Sequence, residues 1–391
     1  MPIYVVEQGD NVDIIAERFG VDAGELVFIN QIPYPYALVI GQALLIPSAG
    51  GQSQSRFLST NGYAYPFISR EILDYTLPYL TELSIFSYGF TMEGYLIPPK
   101  LDDEWMIEAA NSVGTKSILT LTPFGEDGKF NNNLISALVN TPESISRLTG
   151  ELIFVMRQKG YAGVDVDFEY ILADDRDAFT SFVAGLTSSL NEQGFQVSVA
   201  LAPKTSSGQQ GLLYEGKDYG GLGAAANQVL LMTYEWGYTY GPPMAVAPIN
   251  KVRQVVEYAV TEIPVGKINM GIPNYGYDWP LPFESGVTKA TTIGNVEAVS
   301  IAAAHGAVIQ FDETAKSPYF RYNENNVEHE VWFEDVRSLS AKFDLVDEFN
   351  LNGVGYWQIM RLFIANWQLL ESRFFTCCLF RGNPAGKFCR T

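Results

Sequence analysis

Three carboxylates stand at alternate positions in the run Tyr161-Ala162-Gly163-Val164-Asp165-Val166-Asp167-Phe168-Glu169-Tyr170. In an extended chain, successive side chains point to opposite faces. Asp165, Asp167 and Glu169 therefore share one face, while Val164, Val166 and Phe168 share the other. Neighbouring carboxylates cannot all ionise freely, so at least one pKa should rise toward the range of a general acid. The chemistry this pattern favours is proton donation to a leaving group. An exposed strand with an acidic, solvated face would show the same alternation. The elements around the run decide between the two.

From residue 59 onward, short strands rich in Val, Ile, Leu, Phe and Tyr alternate with helical segments. Strands are expected near 60–65, 83–88, 117–122, 163–169, 195–201, 228–235, 267–272 and 353–358. Eight strands interleaved with helices predict an α/β fold, a (β/α)8 TIM barrel. In such a barrel the apolar face of 163–169 packs on helices and the acidic face meets the axis. Three carboxylates there are tolerable only at the open C-terminal mouth, where barrel active sites lie. Between the last two strands the rhythm breaks. Residues 278–333 hold a helical stretch near Val296–Ala304 and antiparallel strand signals around Phe320–Tyr322 and Val327–Phe333. A small α+β insertion forming one wall of the cleft is expected there.

The first 48 residues read as a separate unit. Tyr4-Val5-Val6 suits a strand, Gly9-Asp10-Asn11 a capping turn, and Ile14, Ile15, Ala16 and Phe19 a helix ending at Gly20. A second helix carries Leu26, Val27 and Ile29, and Leu44-Leu45-Ile46-Pro47 closes as a strand. This βααβ order, the Val-x-x-Gly-Asp start and the Gly41-Gln42-x-Leu44-x-Ile46-Pro47 ending resemble the LysM family. That family binds N-acetylglucosamine-containing glycans in a groove between two loops. The resemblance puts Gly9, Asp10 and Asn11 in one loop and Asn30, Gln31 and Ile32 in the other. Asn11 stands where the family more often has Thr or Ser, and these residues could equally serve only as turn formers. Small residues over 49–57 predict a flexible linker. The module is then a tethered binder that contributes effective concentration rather than chemistry.

The barrel is expected over 58–373. A tail over 374–391 differs from it, carrying Arg381, Lys387, Arg390 and all three cysteines, Cys377, Cys378 and Cys389. The chain's formal net charge of −19 disfavours nucleic acid as a partner. No polybasic run suits an anionic membrane, and no apolar stretch approaches the roughly 18 residues of a membrane span. The body has no disulfide frame. His305 and His329 are isolated from ligand-spaced partners, so neither metal nor cofactor is expected, and the chain is expected to be a monomer. Met1-Pro2-Ile3-Tyr4-Val5-Val6 lacks the pattern of a signal peptide, which predicts synthesis without ordinary secretion.

Gly163, Asp165, Asp167 and Glu169 match the Asp-Gly-x-Asp-x-Asp-x-Glu signature of glycoside hydrolase family 18, with Ala162 replacing the leading Asp. The resemblance extends over about 58–370. Met232-Thr233-Tyr234-Glu235-Trp236 stands where the family shows Met-x-Tyr-Asp, with Glu235 for Asp. Gly271-Ile272-Pro273-Asn274-Tyr275-Gly276 resembles the end of the seventh strand, and Gly355-Tyr356-Trp357 that of the eighth. The resemblance implies retaining, substrate-assisted hydrolysis, outside the usual two-carboxylate scheme. Glu169 would donate the proton, and the substrate's own 2-acetamido oxygen would attack the anomeric carbon. Asp167 would orient the acetamide, Asp165 would share a proton with Asp167, Tyr234 would bond the acetamido oxygen, and Trp357 would floor the sugar. Met232, Glu235, Trp236, Asn274, Tyr275 and Tyr88 are expected to line the substrate site.

The run from Met232 to Gly276 looks like the spore cortex-lytic branch of that family, which pairs LysM with this barrel. This implies a peptidoglycan or other N-acetylglucosamine-containing glycan as partner. It also implies a place in the spore coat or cortex layers after synthesis in the mother cell. A chitinase acting on chitin oligosaccharides is the nearest alternative. A catalytically inactive glycan-binding barrel, or a coat protein anchored by LysM, are others, and the intact Asp165, Asp167 and Glu169 argue against inactivity.

Overall fold

The computed structural model describes residues 1–47, 56–125 and 129–375. The expected linker lies almost wholly, and the tail from residue 376 wholly, outside the described residues.

Eight parallel strands close into a barrel: Ser59–Ala64, Glu82–Phe90, Lys116–Leu121, Gly163–Val166, Gln196–Leu201, Gln228–Leu231, Ile268–Pro273 and Gly353–Trp357. Each pairs with the next in the chain, and the last pairs with the first. The helix Pro142–Lys159 shows how the sequence positions the fourth strand. Proline at its start has a ring suited to a helix N-terminus. Leu148, Leu152 and Met156 recur every four residues and are buried. Gly160 at φ +83 ends the helix in the left-handed region that favours glycine. Three residues later Gly163 opens the strand, and a Cβ there would meet the Gln196 carbonyl oxygen at 2.4 Å.

Two strands are shorter than expected, for reasons that matter at the mouth. The fourth ends at Val166, although the Asp167 N–H still donates to the Leu121 carbonyl at 2.9 Å. The sixth ends at Leu231. Beyond it the Thr233 N–H bonds the Leu231 carbonyl and the Tyr234 N–H bonds that of Met232, so tight turns replace the ladder. Both chains leave the sheet where the carboxylates and Tyr234 must project over the barrel.

Between the seventh and eighth strands, an antiparallel five-stranded sheet runs in the order Thr291–Ile293, Gly276–Pro280, Val327–Trp332, Ser317–Glu324, Gln310–Asp312. The helix Asn295–His305 packs Ala298 and Ala302 against Phe320, Val331 and Phe333.

In the N-terminal unit, Ile3–Val5 pairs antiparallel with Ala43–Leu45 around the helices Val12–Phe19 and Ala23–Ile29. The expectation of a merely tethered module is corrected by how this unit packs. Ile29 and Leu45 join the main barrel core and Val39 joins the core of the inserted sheet. The Ile309 N–H donates to the Ile40 carbonyl at 2.9 Å, and Arg337 donates to that of Gly41. Gly41, at φ +86, lies so close that a Cβ would stand 1.8 Å from the Ile309 carbonyl oxygen. The barrel also reaches past its expected end. Phe374 is fully buried, and Phe375 exchanges backbone hydrogen bonds with Arg56 and Leu58.

Candidate active site

The alternation read from the sequence holds in space. Val164, Val166 and Phe168 pack outward into the core, where Phe168 stacks on Phe182 and meets Phe90 and Phe179. Asp165 turns inward. Ser198, its register partner on the fifth strand, donates to one carboxylate oxygen at 2.5 Å. Tyr63, from the first strand across the barrel, donates to the other at 2.8 Å. Both oxygens of Asp165 thus have a protein donor before any proton is shared with Asp167. Asp167 is 7 % exposed, and its Oδ1 is buried without a hydrogen-bond partner. Glu169, one step nearer the mouth, is partly open to solvent.

Electrostatics differ along this line. Burial raises the pKa of Asp165, against the hydrogen bonds from Ser198 and Tyr63 and the charge of Lys217. Asp167 is pushed well above the usual carboxylate range, first by burial and then by the charges of Glu169 and Asp165. Burial also lifts Glu169, while Lys217 draws it back. A carboxylic acid with a raised pKa that is partly open to solvent is suited to general acid work. Tyr234, whose pKa burial and the neighbouring carboxylates raise well above its ordinary value, stays a neutral hydroxyl donor. Gly271 makes room for it, since a Cβ there would meet the Tyr234 ring at 2.7 Å.

Trp357, at the end of the eighth strand, meets Phe86, Tyr63 and Tyr65 edge-on with centroids 5.0, 5.8 and 6.2 Å away. Met232 packs in the same cluster. Next to it a cavity of about 260 Å³ is walled by Tyr65, Phe67, Phe86, Leu101 and Phe124. Glu235 has φ +66, a left-handed conformation uncommon for a residue with a side chain. Its carboxylate accepts hydrogen bonds from Tyr275 and Tyr277, while burial and then the charge of Glu169 raise its pKa against those bonds. Trp236 is half-buried against the main core, its backbone N–H donating to the Val246 carbonyl. Asn274 donates to the carbonyls of Gln358 and Arg361 and receives no substrate-facing task from this geometry; it braces the segment behind Trp357.

Tyr88 is a correction. The second strand slips register between Ile85 and Tyr88, which turns the Tyr88 ring outward. It is 1 % exposed and donates to Asp103 at 2.6 Å, beside Tyr161 on the same carboxylate. Phe86 takes the place at the mouth.

The two module loops are likewise committed to structure. Asp10 accepts from Tyr4 and the Glu7 N–H, and Asn11 caps the first helix through the Ile14 N–H at 2.9 Å. Gly9 supplies the turn at φ +90. Asn30 locks Leu45 from both sides, Ile32 is buried, and Gln31 is turned onto the barrel, where it accepts from the Ile364 N–H at 2.7 Å. Gln31 thus holds the docking seam, while Asn30 and Ile32 serve the module's own fold. A cavity of about 400 Å³ lies in that seam, lined by Asn30, Gln31, Ile32, Tyr34, Ala303 and Phe363 among others, with none of Asp165, Asp167 and Glu169 in its lining.

Tyr63, Ser198 and Lys217 belong to the site but carried no motif. Pairing with the fifth strand brings Ser198 to Asp165, the loop after that strand carries Lys217, and barrel closure brings Tyr63.

Residues 115–361 match the model for glycosyl hydrolases family 18, and residues 4–47 that for the LysM domain. The cortical fragment-lytic enzyme of Bacillus subtilis (strain 168) is 40 % identical, over 96 % of this chain and 98 % of its own. The crystal structure of the Bacillus megaterium QM B1551 spore cortex-lytic enzyme SleL superposes with a TM-score of 0.90 at 32 % identity, covering 97 % and 99 % of the two chains. That of the Bacillus cereus SleL gives 0.79 at 33 % identity, covering 96 % and 87 %.

Proposed function

The chain belongs to glycosyl hydrolases family 18, and on that premise we propose that it cleaves the β-1,4 bond after N-acetylglucosamine in cortical peptidoglycan fragments during spore germination. The observation that carries this reading is the graded acid line. Asp165 is fully held by donors, Asp167 keeps one buried oxygen without a partner, and Glu169 stands at the opening. Glu169 protonates the glycosidic oxygen as the bond breaks and then takes a proton from the attacking water. The substrate's acetamido oxygen closes on the anomeric carbon, forming an oxazolinium ion that water opens with net retention. Asp167 accepts the acetamide N–H and Tyr234 donates to its oxygen. Trp357 forms the floor, and the aromatic cavity beside it gives neighbouring sugars flat partners. Kinship over nearly the whole chain with a cortical fragment-lytic enzyme supports this substrate.

Spore cortex carries much of its muramic acid as the lactam. Substrate assistance needs a free acetamide on the sugar whose anomeric bond breaks, and the lactam nitrogen is tied into a ring. The enzyme should therefore release products with N-acetylglucosamine at the reducing end and initially β configuration. Mass spectrometry and NMR of a cortical-fragment digest test this. Muramic lactam at the new reducing ends, or cleavage of chitin oligosaccharides alone, would refute it.

A further inference from the structure

Lys217 lies between the fifth strand and the helix Tyr219–Ala225, and its side chain is fully buried. A buried ammonium is costly unless its donors are used. Here the Nζ donates to the carbonyl of Ala200 at 3.0 Å and to that of Phe168, the residue between Asp167 and Glu169. It also stands 5.4 Å above the Phe179 ring. The segment around it is pinned. Lys204, itself buried, donates to the Lys217 carbonyl at 2.9 Å, and Gly216 is pressed so close that a Cβ would meet the Ile171 carbonyl oxygen at 2.3 Å. Lys217 thus hooks the turn that carries the acids to the end of the neighbouring strand. An apolar side chain of similar length would fill the space but supply neither bond nor charge.

We infer that Lys217 is a positioning residue of the catalytic apparatus: its ammonium fixes the Asp167–Glu169 turn through the Phe168 carbonyl and supplies the cation that lets three adjoining carboxylates occupy one buried site. This rests on the reading of Glu169 as proton donor. Burial brings the pKa of the Lys217 ammonium down to about 8, against the charges of Asp167, Glu169 and Asp165, which support it. The other titratable groups around the acids are Tyr63 and Tyr65 from the first strand and its loop, Glu82 at the start of the second strand, Tyr170 beside Glu169, and Tyr234 and Glu235 after the sixth. None of these is cationic. Loss of the Lys217 charge should therefore favour the protonated form of every acid in the line.

The test is Lys217→Met in the full-length protein, with kcat and KM on cortical fragments measured across pH. We expect kcat to fall about tenfold to a hundredfold, as for a small misplacement of a reacting group, with KM little changed. Both limbs of the pH profile should move upward by about one unit, as for removal of a nearby opposite charge. Limbs that stay in place would overturn the inference, even if activity drops. A second measurement needs neither substrate nor a folded Lys217 variant. In Glu169→Gln, NMR titration of the Lys217 side chain should show its midpoint lowered, because one supporting anion is gone. An unchanged midpoint would overturn the inference whatever the enzyme cleaves. A wild-type protein inert on cortical fragments would instead sink the substrate reading and leave the titration to decide on Lys217.

Discussion

Burial holds Asp167 and Glu169 above the ordinary carboxylate range, with separate consequences for turnover and for stability. For turnover, the proposed reaction takes its proton from the elevated Glu169. Glu169→Gln keeps the shape but has no proton to give, so kcat should fall about 10²–10⁴-fold while the fold and glycan affinity are kept. Retention of more than roughly a tenth of wild-type activity would contradict a general acid–base role of that size. For stability, the sign follows from linkage. A carboxyl whose folded pKa lies above its unfolded value of about 3.9 binds protons more tightly in the native state. That contribution is present at low pH and is lost as pH rises through the folded pKa. Asp167→Asn removes the buried negative charge and with it the loss. The variant should melt higher than wild type at pH 7, with the gap closing as pH falls toward about 4. Equal melting temperatures at pH 7 would show that Asp167 is not strained by ionisation. The alternation of Asp165, Asp167 and Glu169 was legible along one strand, because a period of two needs no tertiary information. Tyr88 was not legible: a register slip at Ile85 to Tyr88 turns it from the mouth, and nothing local announces such a slip.

At the scale of elements, glycines set how closely pieces meet. Gly9 and Gly41 both have positive φ, but only Gly41 faces another element, the Ile309 carbonyl. Alanine at either position incurs the backbone strain, about 1–3 kcal/mol. At Gly41 the new methyl must also push the module off the inserted sheet. Thermal melts should therefore show a larger loss for Gly41→Ala than for Gly9→Ala, with protease cutting between module and barrel appearing only in the former. Equal losses would mean that the seam between module and sheet yields freely. The helices and strands of the module were readable from caps and spacing, since Asn11 and Gly20 act within one turn of their own helix. The docking seam was not. Ile40 to Ile309 and Gln31 to Ile364 join residues hundreds of positions apart, and Gln31 carries no mark that separates a glycan contact from a docking contact.

For the whole molecule, the seam links the module to the cleft. Gln31 bonds the backbone at Leu362 and Ile364, just beyond Trp357, and Asn274 braces the same segment from the seventh strand. Deleting residues 1–47 should then lower turnover of short soluble fragments as well as binding to insoluble peptidoglycan, together with the melting temperature of the barrel. Unchanged kinetics on soluble fragments would mean the module acts only by tethering. The amino-acid sequence by itself determined the barrel, the module and the order of the acids, because each is written in short-range period, caps and spacing. Only the tertiary structure decided which donors hold Asp165, where the buried cation of Lys217 lies, which way Tyr88 faces and whether the module is free or docked. Those facts depend on closure of the barrel and on contacts between elements far apart in the chain, and a local pattern cannot encode a distance between them.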